Sequence, residues 1–430
     1  MAQYAQAIYN QNLQREALEE LNWNKRKEIV RYAYEHVPFY RDYYEEKGFS
    51  PDDLHCKEDW EKVPPLEKEH IRVNKQRMLS SSVPPCSIAL TSTGGSTGMP
   101  LSVYRDKRFK FEILGWRAFT WWGISPADNT GIMHRRVPTN WVDKLKNRML
   151  WCPTKRIYLN ANRVEETDIA RFVREITTQK IIWLTGYVGT LERVADYVLR
   201  EGIKISCLRM VWSTSAPLSA IVRDKLERAF GCKVMNQYGS CEVSNIAQQC
   251  PCSEHLHVNV DYVHVDIVDE WGRSLQRQEG DILVTDLANY VAPLIRYRIG
   301  DRGELVEEPC PCGVTLPLMK NVKGRISDAV YTPSGIYIDG SYLTTIFDRY
   351  SSYIDKFQVR QTLDYSIKVL VVLKRPVTSG YEVVLREVKE LLCASVKDEI
   401  PVSVEEVPEI HDDKGKIRYI ISEVALRTRK

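Results

Sequence analysis

Alternating strand and helix patterns between residues 180 and 237 constrain the fold of this chain most. Runs rich in β-branched and aromatic residues predict three strands, IIWL, LRMVWS and KVMNQ. Amphipathic stretches between them predict helices over Val188–Arg200 and Leu218–Phe230. Strands that are joined by helical crossovers form a parallel sheet, so the pattern predicts an α/β core.

Two polar segments follow the carboxyl ends of these predicted strands. They are Thr214–Pro217 and Tyr238–Glu242. Open α/β sheets bind ligands at this edge, which makes both segments candidate binding sites. Ordinary strand-to-helix turns are the alternative interpretation.

A run of hydroxyl residues and glycines, LTSTGGSTGMPL, spans Leu90–Leu101. Backbone N–H groups and hydroxyls in such a run can surround a polyanion, which favours a phosphate-binding loop. Met99 stands where a P-loop would have its lysine. A plain surface loop is one alternative, and a hydrolase elbow that presents Ser96 is another. Pro100 argues against the elbow, because a proline there would break the helix that must follow.

The composition limits the class of protein. The 430 residues are 43% hydrophobic and carry a net charge of +3, which favours a globular protein of two or three domains without a basic field for nucleic acid or membrane. No apolar run is long enough for a membrane span, and the N-terminus lacks the pattern of a signal peptide. Eleven cysteines without such a signal predict a cytoplasmic protein with reduced thiols or metal ligands.

The remaining segments predict helices over about 14–36 and 105–122, antiparallel strands after Cys250, and a compact α+β unit after Gly324. The fold class is therefore α/β plus α+β. We predict a large N-terminal domain over 1–325, with a zinc-stapled subdomain at about 250–320. A small C-terminal domain is predicted over 326–430.

Two Cys-Pro-Cys triplets bracket the antiparallel segment. Cys250, His257, Cys310 and Cys312 are the favoured ligands of a structural zinc ion, because thiolates and imidazoles suit a tetrahedral site. The C-x-C spacing is tighter than usual, so one cysteine of a triplet is expected to stay outside the shell. Unmetallated loop cysteines are the alternative.

The ordered motifs TSTGGSTGMP, TSAPLS, NQYGSCE, YRIGD, GRISD and GKIRYI resemble those of adenylate-forming enzymes, the acyl-CoA synthetase and adenylation-domain superfamily. The segment YAYEHVPFYRDYYEEKGF and the cysteine pairs resemble the phenylacetate-CoA ligase branch. GKIRYIISEV is similar to its subgroup in capsular polysaccharide biosynthesis. The resemblance covers nearly the whole chain.

This resemblance implies an ATP-dependent, AMP-forming acid–thiol ligase that uses ATP, Mg²⁺, a carboxylic acid and coenzyme A. The phosphates of ATP would be bound by Ser92, Thr93, Gly94, Gly95, Ser96, Thr97 and Gly98. The adenine would be bordered by Ser215, Ala216, Pro217, Gln237 and Tyr238, with Gly239 and Ser240 in the same nucleotide-binding loop.

The same resemblance assigns the remaining roles. Glu242 would bind Mg²⁺, Asp301 the ribose, and Arg325 would lie near the sugar or phosphate. Lys416, on the C-terminal lid domain, would neutralise the charge that develops when the carboxylate attacks the α-phosphate. The lid would turn about Ser327.

Three residues depart from the family pattern. Cys241 stands where threonine is usual, Ser327 where the hinge is commonly aspartate, and Met99 where lysine is common. A phosphate-facing hydroxyl and the ease of domain rotation are therefore in question.

The sequence allows several acceptors for the activated acyl group. An amine, a carrier-protein thiol or a hydroxyl could replace coenzyme A, in polysaccharide or secondary-metabolite biosynthesis. Rivals from other classes are a serine hydrolase at Ser96 and a non-catalytic, zinc-stapled binding protein. Neither the acid nor the oligomeric state can be read from the sequence, which leaves a homodimer open.

Overall fold

Strand Val234–Tyr238 marks the point where the chain passes between two structural units. In the computed structural model one unit comprises residues 1–126 and 237–322, and the other comprises 127–236 and 323–430. The predicted division at 325/326 stays a prediction. The described residues are 2–92, 101–134, 137–138, 140–161, 165–216, 218–325, 330–334, 337–338, 343, 346–347, 349–350, 352–374, 380–410 and 419–424.

The first part of unit 1 is mainly helical. Its helices and its one hairpin are α1 (Ala2–Asn10), α2 (Arg15–His36), α3 (Pro38–Glu46), α4 (Lys68–Asn74), β1 (Ile88–Ser92), β2 (Ser102–Asp106) and α5 (Glu112–Trp121). The predicted helix at 14–36 is confirmed as α2, which buries Leu18, Ile29 and Ala33. The helix predicted over 105–122 is wrong in its first part, because Arg105 lies in β2 and pairs with Ala89 of β1.

Unit 2 begins with the α/β layer. Its elements are β3 (Thr130–His134), α6 (Trp141–Trp151), β4 (Arg156–Asn160), α7 (Glu166–Thr178), β5 (Trp183–Tyr187), α8 (Val188–Arg200), β6 (Met210–Thr214), α9 (Ala220–Phe230) and β7 (Val234–Tyr238). The strands are parallel in the order β7-β6-β5-β3-β4, which confirms the predicted parallel sheet and adds β3 and β4 at one edge.

Packing explains why these helices lie on the sheet. One face of α7 buries Ile169, Phe172, Val173 and Ile176, and one face of α8 buries Leu191, Val194, Ala195 and Val198. These side chains occur at helical spacing, so each helix presents a continuous apolar stripe to the strands.

The second part of unit 1 is antiparallel, as predicted. Its strands are β8 (Ala247–Gln249), β9 (Leu256–Val258), β10 (Val263–Val268), β11 (Gly280–Asp286), β12 (Tyr297–Gly303), β13 (Leu305–Val306) and β14 (Leu318–Met319). β9 pairs with both β8 and β14, while β11 pairs with β10 and β12.

The second part of unit 2 has the predicted α+β character. Its elements are β15 (Lys323–Arg325), β16 (Val330–Tyr331), β17 (Tyr337–Ile338), β18 (Ile354–Gln361), β19 (Ile367–Leu373), α10 (Tyr381–Ser395), β20 (Val402–Glu406) and β21 (Ile420–Ser422). The sheet order is β20-β19-β18-β21, and α10 buries Val384, Val388 and Leu392. Among the helices of the described ranges, none has the length and apolar content that a transmembrane segment requires.

Candidate functional site

The turn after β7 has a defined shape. Gly239 has no room for a side chain, because a Cβ atom would lie 2.8 Å from the backbone nitrogen of Asn245. The Ser240 hydroxyl then accepts hydrogen bonds from the backbone N–H groups of Glu242 (3.1 Å) and Val243 (3.0 Å). The turn therefore holds Glu242 in a fixed position.

Glu242 is a buried carboxylate with one oxygen available. Its side chain is 3% exposed, and Oε1 accepts a hydrogen bond of 3.3 Å from the hydroxyl of Tyr297. Oε2 is buried and has no hydrogen-bond partner within the described ranges. A buried carboxylate oxygen without a partner is costly, which makes this atom a suitable ligand for a hard cation such as Mg²⁺.

Tyr238 and Asp301 form the second part of the site. The Tyr238 hydroxyl donates a hydrogen bond of 3.0 Å to Oδ2 of Asp301, and both side chains are half-buried. Gln237, the preceding residue, donates its side-chain amide to the carbonyl oxygen of Tyr238 at 3.0 Å. The two motifs NQYGSCE and YRIGD are therefore in contact, as their shared assignment to the nucleotide requires.

Strand β12 carries Tyr297 and Asp301, the residues that bond to Glu242 and Tyr238. Its pairing with β11 is irregular, because Arg298 lies opposite Leu283 and Arg302 opposite Asp281. Gly300 lies within this bulge at a φ of 90°, in the left-handed region that glycine adopts readily. Bulges redirect a neighbouring side chain, so this one accounts for the orientation of Asp301 toward Tyr238.

The other predicted nucleotide contacts are described only in part. Ser215 and Ala216 directly follow β6, and Ser215 has a φ of 76°, which is unusual for a residue with a side chain. Arg325 ends β15. Thr93, Gly94, Gly95, Ser96, Thr97, Gly98, Pro217, Ser327 and Lys416 lie outside the described residues.

The ends of the phosphate-loop candidate are part of a hairpin. Ser92 ends β1 and pairs with Ser102, which begins β2, in an antiparallel register. A hydrolase elbow has a strand before it and a helix after it. The hairpin around this run therefore argues against Ser96 as a nucleophile.

The predicted metal ligands lie together in unit 1. The ligating atoms of Cys250, His257, Cys310 and Cys312 are all within 4.8 Å of one another. The Sγ atoms of Cys250 and Cys310 are 3.4 Å apart, and Sγ of Cys312 lies 3.3 Å from Nε2 of His257. Cys252 is exposed and outside the cluster, which fits the expectation that one cysteine of a triplet would not take part.

His257 is oriented as metal-binding histidines commonly are. Nδ1 lies 3.2 Å from the carbonyl oxygen of Leu316, which leaves Nε2 directed at the cysteines. Burial lowers the pKa of His257 to about 4, so the imidazole is neutral at pH 7. Burial also raises the pKa of the Cys250 and Cys312 thiols, so metal binding here would release protons.

Two aromatic residues were assigned no role from the sequence. Tyr297 begins the YRIGD motif, and its position in the motif could have indicated that it lies on the strand that carries Asp301. The ring of Trp121 lies 4.8 Å from that of His257, and its Nε1 donates to Oε1 of Gln11 at 2.8 Å. Trp121 therefore packs on the Cys/His cluster.

A third group lies at the carboxyl edge of the parallel strands in unit 2. His134, the last residue of β3, stacks on Tyr187, the last residue of β5, with ring centroids 5.2 Å apart. Nε2 of His134 lies 3.4 Å from the hydroxyl of Thr185. Burial lowers the pKa of His134, so this is a neutral, partly apolar surface at the edge where α/β sheets bind ligands. No motif pointed to it.

Comparisons with known proteins place these observations in context. No protein-family model matches the chain. The protein CapK of Staphylococcus aureus is 24% identical over 319 residues, which cover 72% of this chain and 69% of CapK. The phenylacetate-coenzyme A ligase of Thermus thermophilus is 25% identical over 339 residues, which cover 74% of this chain and 72% of that enzyme.

Among solved structures, 2-hydroxyisobutyryl-CoA ligase in its postadenylation state with 2-HIB-AMP superposes with a TM-score of 0.77 at 19% identity. The match covers 98% of this chain and 93% of that ligase. The same ligase with 2-HIB-AMP and CoA in the thioesterification state gives a TM-score of 0.61. These matches confirm the fold class.

Proposed function

We propose that the chain is a member of the adenylate-forming superfamily, in its phenylacetate-CoA ligase branch, and that it is an ATP-dependent acid–thiol ligase. The enzyme activates a carboxylic acid as an acyl-adenylate and releases pyrophosphate. It then transfers the acyl group to the thiol of coenzyme A. AMP leaves with the second step.

The hydrogen bond between Tyr238 and Asp301 carries this proposal. A tyrosine ring offers a stacking surface for a purine, and a carboxylate beside it accepts hydrogen bonds from both ribose hydroxyls. The two side chains come from different strands and are already in contact. A nucleoside is the ligand that uses a flat ring and an adjacent acceptor at once, with Gln237 close to the ring edge.

Glu242 would hold the magnesium ion that accompanies ATP. Its Oε2 atom is buried without a hydrogen-bond partner in the described part of the chain, and its carboxylate is fixed by the Ser240 turn. When bound there, Mg²⁺ would supply positive charge that neutralises part of the charge on the phosphates of ATP. The exposed thiol of Cys241, beside Glu242, takes the place of the usual hydroxyl.

The resemblance supplies the remaining parts of the proposed mechanism. The run Ser92–Gly98 would bind the outer phosphates, and Arg325 would lie near the sugar. Lys416 would neutralise the charge that forms at the α-phosphate during adenylation. Residues 326–430 would act as the lid, which turns near Ser327 between the two half-reactions.

The carboxylic acid substrate would lie near the C-terminal ends of strands β3 and β5. His134 and Tyr187 present stacked rings there, and Thr185 adds a hydroxyl. Stacked aromatic rings contact flat or apolar acyl groups well. We therefore place aryl and short apolar acids ahead of charged ones in a substrate panel.

The Cys/His cluster would hold one structural zinc ion through Cys250, His257, Cys310 and Cys312. Three sulfurs and one imidazole nitrogen make a Cys₃His set, which zinc binds as a closed tetrahedron. Cys250 directly follows β8, His257 lies in β9, and Cys310 and Cys312 lie between β13 and β14, so the ion would tie these short strands together. No step of the reaction needs it.

The experiment is carboxylate-dependent exchange of labelled pyrophosphate into ATP across a panel of acids. The active acids are then tested with acceptors. Formation of a coenzyme A thioester supports the proposal, whereas transfer only to an amine, a carrier-protein thiol or a hydroxyl moves the function to one of those alternatives. Absence of both nucleotide binding and exchange would leave the non-catalytic binding protein.

A further inference from the structure

Helix α6 exposes an apolar stripe to solvent. Trp141, Leu145 and Met149 are 75%, 48% and 73% exposed, and they recur at the spacing that places side chains on one face of a helix. None of the eleven residues of α6 is buried within the described structure. Globular helices of this composition normally bury such a stripe, so this one calls for a partner.

The side of α6 opposite the apolar stripe contacts residues of strand β4. The hydroxyl of Tyr158, on edge strand β4, donates a hydrogen bond of 3.4 Å to Oδ1 of Asn147. The guanidinium of Arg156 lies 3.2 Å from the ring centroid of Trp151. Asn147 lies two residues from both Leu145 and Met149, so it faces away from the stripe.

The start of the helix is also defined. Oδ1 of Asn140 accepts a hydrogen bond of 2.8 Å from the backbone N–H of Asp143, which is a standard N-terminal cap. The helix is thus capped and attached, and its apolar side remains in solvent. A loosely attached segment would not keep this stripe on a fixed side.

Positive charge borders the stripe on both sides. Helical geometry places Lys144 and Arg148 along one edge and Lys146 along the other, and all three are exposed. The single acidic residue of the helix, Asp143, lies away from the stripe. Residues 135–156 contain seven basic residues and one acidic residue, so the net charge of +3 conceals a strongly basic segment in an otherwise slightly acidic chain.

We propose that α6 is a docking surface for an anionic phospholipid bilayer, on which the helix lies parallel to the membrane. Apolar side chains would enter the boundary between headgroups and acyl chains, while the flanking basic residues contact lipid phosphates. Trp141, which begins the helix and belongs to the stripe, is a residue type that favours this boundary. The proposal is independent of the ligase activity.

A second copy of the chain fits the stripe less well. The helix is about 16 Å long and its exposed side about 10 Å wide, an area several-fold below the roughly 800 Å² per partner of a stable dimer. Basic residues on both edges would also face each other in a symmetric pair. A bilayer accepts a short apolar stripe and supplies negative charge on every side.

The test is co-sedimentation of the full-length protein with vesicles. We expect binding to vesicles of phosphatidylcholine with phosphatidylglycerol, little binding to phosphatidylcholine alone, and weaker binding as salt is raised. The double variant Lys144→Gln/Arg148→Gln should lower the partition coefficient about 25-fold, at about fivefold for each charge. Leu145→Glu should abolish binding, because it places a carboxylate in the stripe.

Trp271→Ala is the matched control for Trp141→Ala. Both tryptophans are at least 70% exposed, but Trp271 lies in a turn beside Arg273 and outside α6. Only Trp141→Ala should weaken vesicle binding, and circular dichroism confirms that each variant is folded. Failure of the wild-type protein to bind anionic vesicles, or equal binding by Leu145→Glu, would overturn the proposal. So would a wild-type dimer that Leu145→Glu converts to a monomer.

Discussion

The hydroxyl of Tyr238 donates a 3.0 Å hydrogen bond to the carboxylate of Asp301. This bond joins the turn after β7 to the bulge of β12 before any ligand is bound. In the proposed function, ribose hydroxyls would compete for the same carboxylate, and the tyrosine ring would stay beside the base. The bond would therefore preorganise the proposed nucleoside site.

Asp301→Ala should raise the KM for ATP about 10- to 100-fold, because hydrogen bonds to a charged acceptor are lost. Tyr238→Phe keeps the ring and should change the KM only a few-fold, whereas Tyr238→Ala should raise it strongly. Steady-state pyrophosphate release at varied ATP concentration measures all three variants. An unchanged KM in Asp301→Ala would remove Asp301 from the ribose site.

Glu242→Gln should slow adenylation about 100-fold and raise the Mg²⁺ concentration that gives half the maximal rate. The amide keeps the shape of the side chain but loses the charge that attracts the cation. Pyrophosphate release at varied Mg²⁺ concentration is the measurement. Glu270→Gln, in an exposed turn, is the control and should behave as wild type. The same Mg²⁺ dependence in both variants would contradict the assignment.

Lys416→Ala should slow acyl-adenylate formation about 100-fold or more, the scale for removal of a preorganised charge. Its reaction of synthetic acyl-adenylate with coenzyme A should stay close to the wild-type rate, since that step starts from a neutralised mixed anhydride. Lys414→Ala, two residues earlier beside Asp412 and Asp413, is the control. If Lys414→Ala alone blocks adenylation, the register of the motif is wrong.

Freshly purified protein should contain one zinc ion per chain. Cys310→Ser should lose the metal and lower the thermal midpoint, because metal binding is coupled to local folding. Cys252→Ser changes a cysteine of the other triplet that is exposed and outside the cluster, so it should keep both metal and stability. Metal analysis and thermal unfolding of the two variants make the comparison. Wild-type zinc content in Cys310→Ser would refute the assigned ligand set.

Lys225→Met should destabilise the protein by about 3–5 kcal/mol. The ammonium of Lys225 is buried and lies 3.0 Å from Glu192, 3.1 Å from Asp196 and 2.6 Å from Asp355. Its removal leaves the buried carboxylate of Glu192 without its cation.

Arg228→Met, on the same helix, is the control for Lys225→Met. Its guanidinium pairs with Asp224 on the surface, and such exposed pairs contribute at most about 1 kcal/mol. Urea unfolding of both variants measures the difference in unfolding free energy. A similar small change in both would show that the buried charges are stabilised in another way.

Helices with long apolar stripes could be predicted from sequence with accurate bounds. α2 and α8 follow their predicted bounds, about 14–36 and 188–200, because their apolar periodicity extends over several turns. β2 was predicted as part of a helix, since its five residues form a strand only through pairing with β1. β3 and β4 were not singled out, because five residues are too few for their apolar periodicity to distinguish a strand from the surrounding turns.

The candidate site likewise has parts that could be predicted from the sequence and parts that could not. Cys250, His257, Cys310 and Cys312 could be grouped from the sequence, since cysteine and histidine in close sequence pairs have few other uses, and the four side chains lie together. The Tyr297–Glu242 and His134–Tyr187 contacts were not predicted, because each joins residues that are more than 50 positions apart. The register of β3 and β5 brings His134 beside Tyr187, and packing of the turn after β7 against β12 brings Glu242 to Tyr297.

The bulge at Gly300 separates the two ends of the proposed nucleotide site. Tyr297 lies before the bulge, on the regular part of β12, and supports Glu242, the proposed magnesium ligand. Asp301, the proposed ribose ligand, lies within the bulge. On this proposal, substitutions that change the bulge would alter recognition of the sugar while the cation site stays intact, so the two properties could evolve independently along one strand.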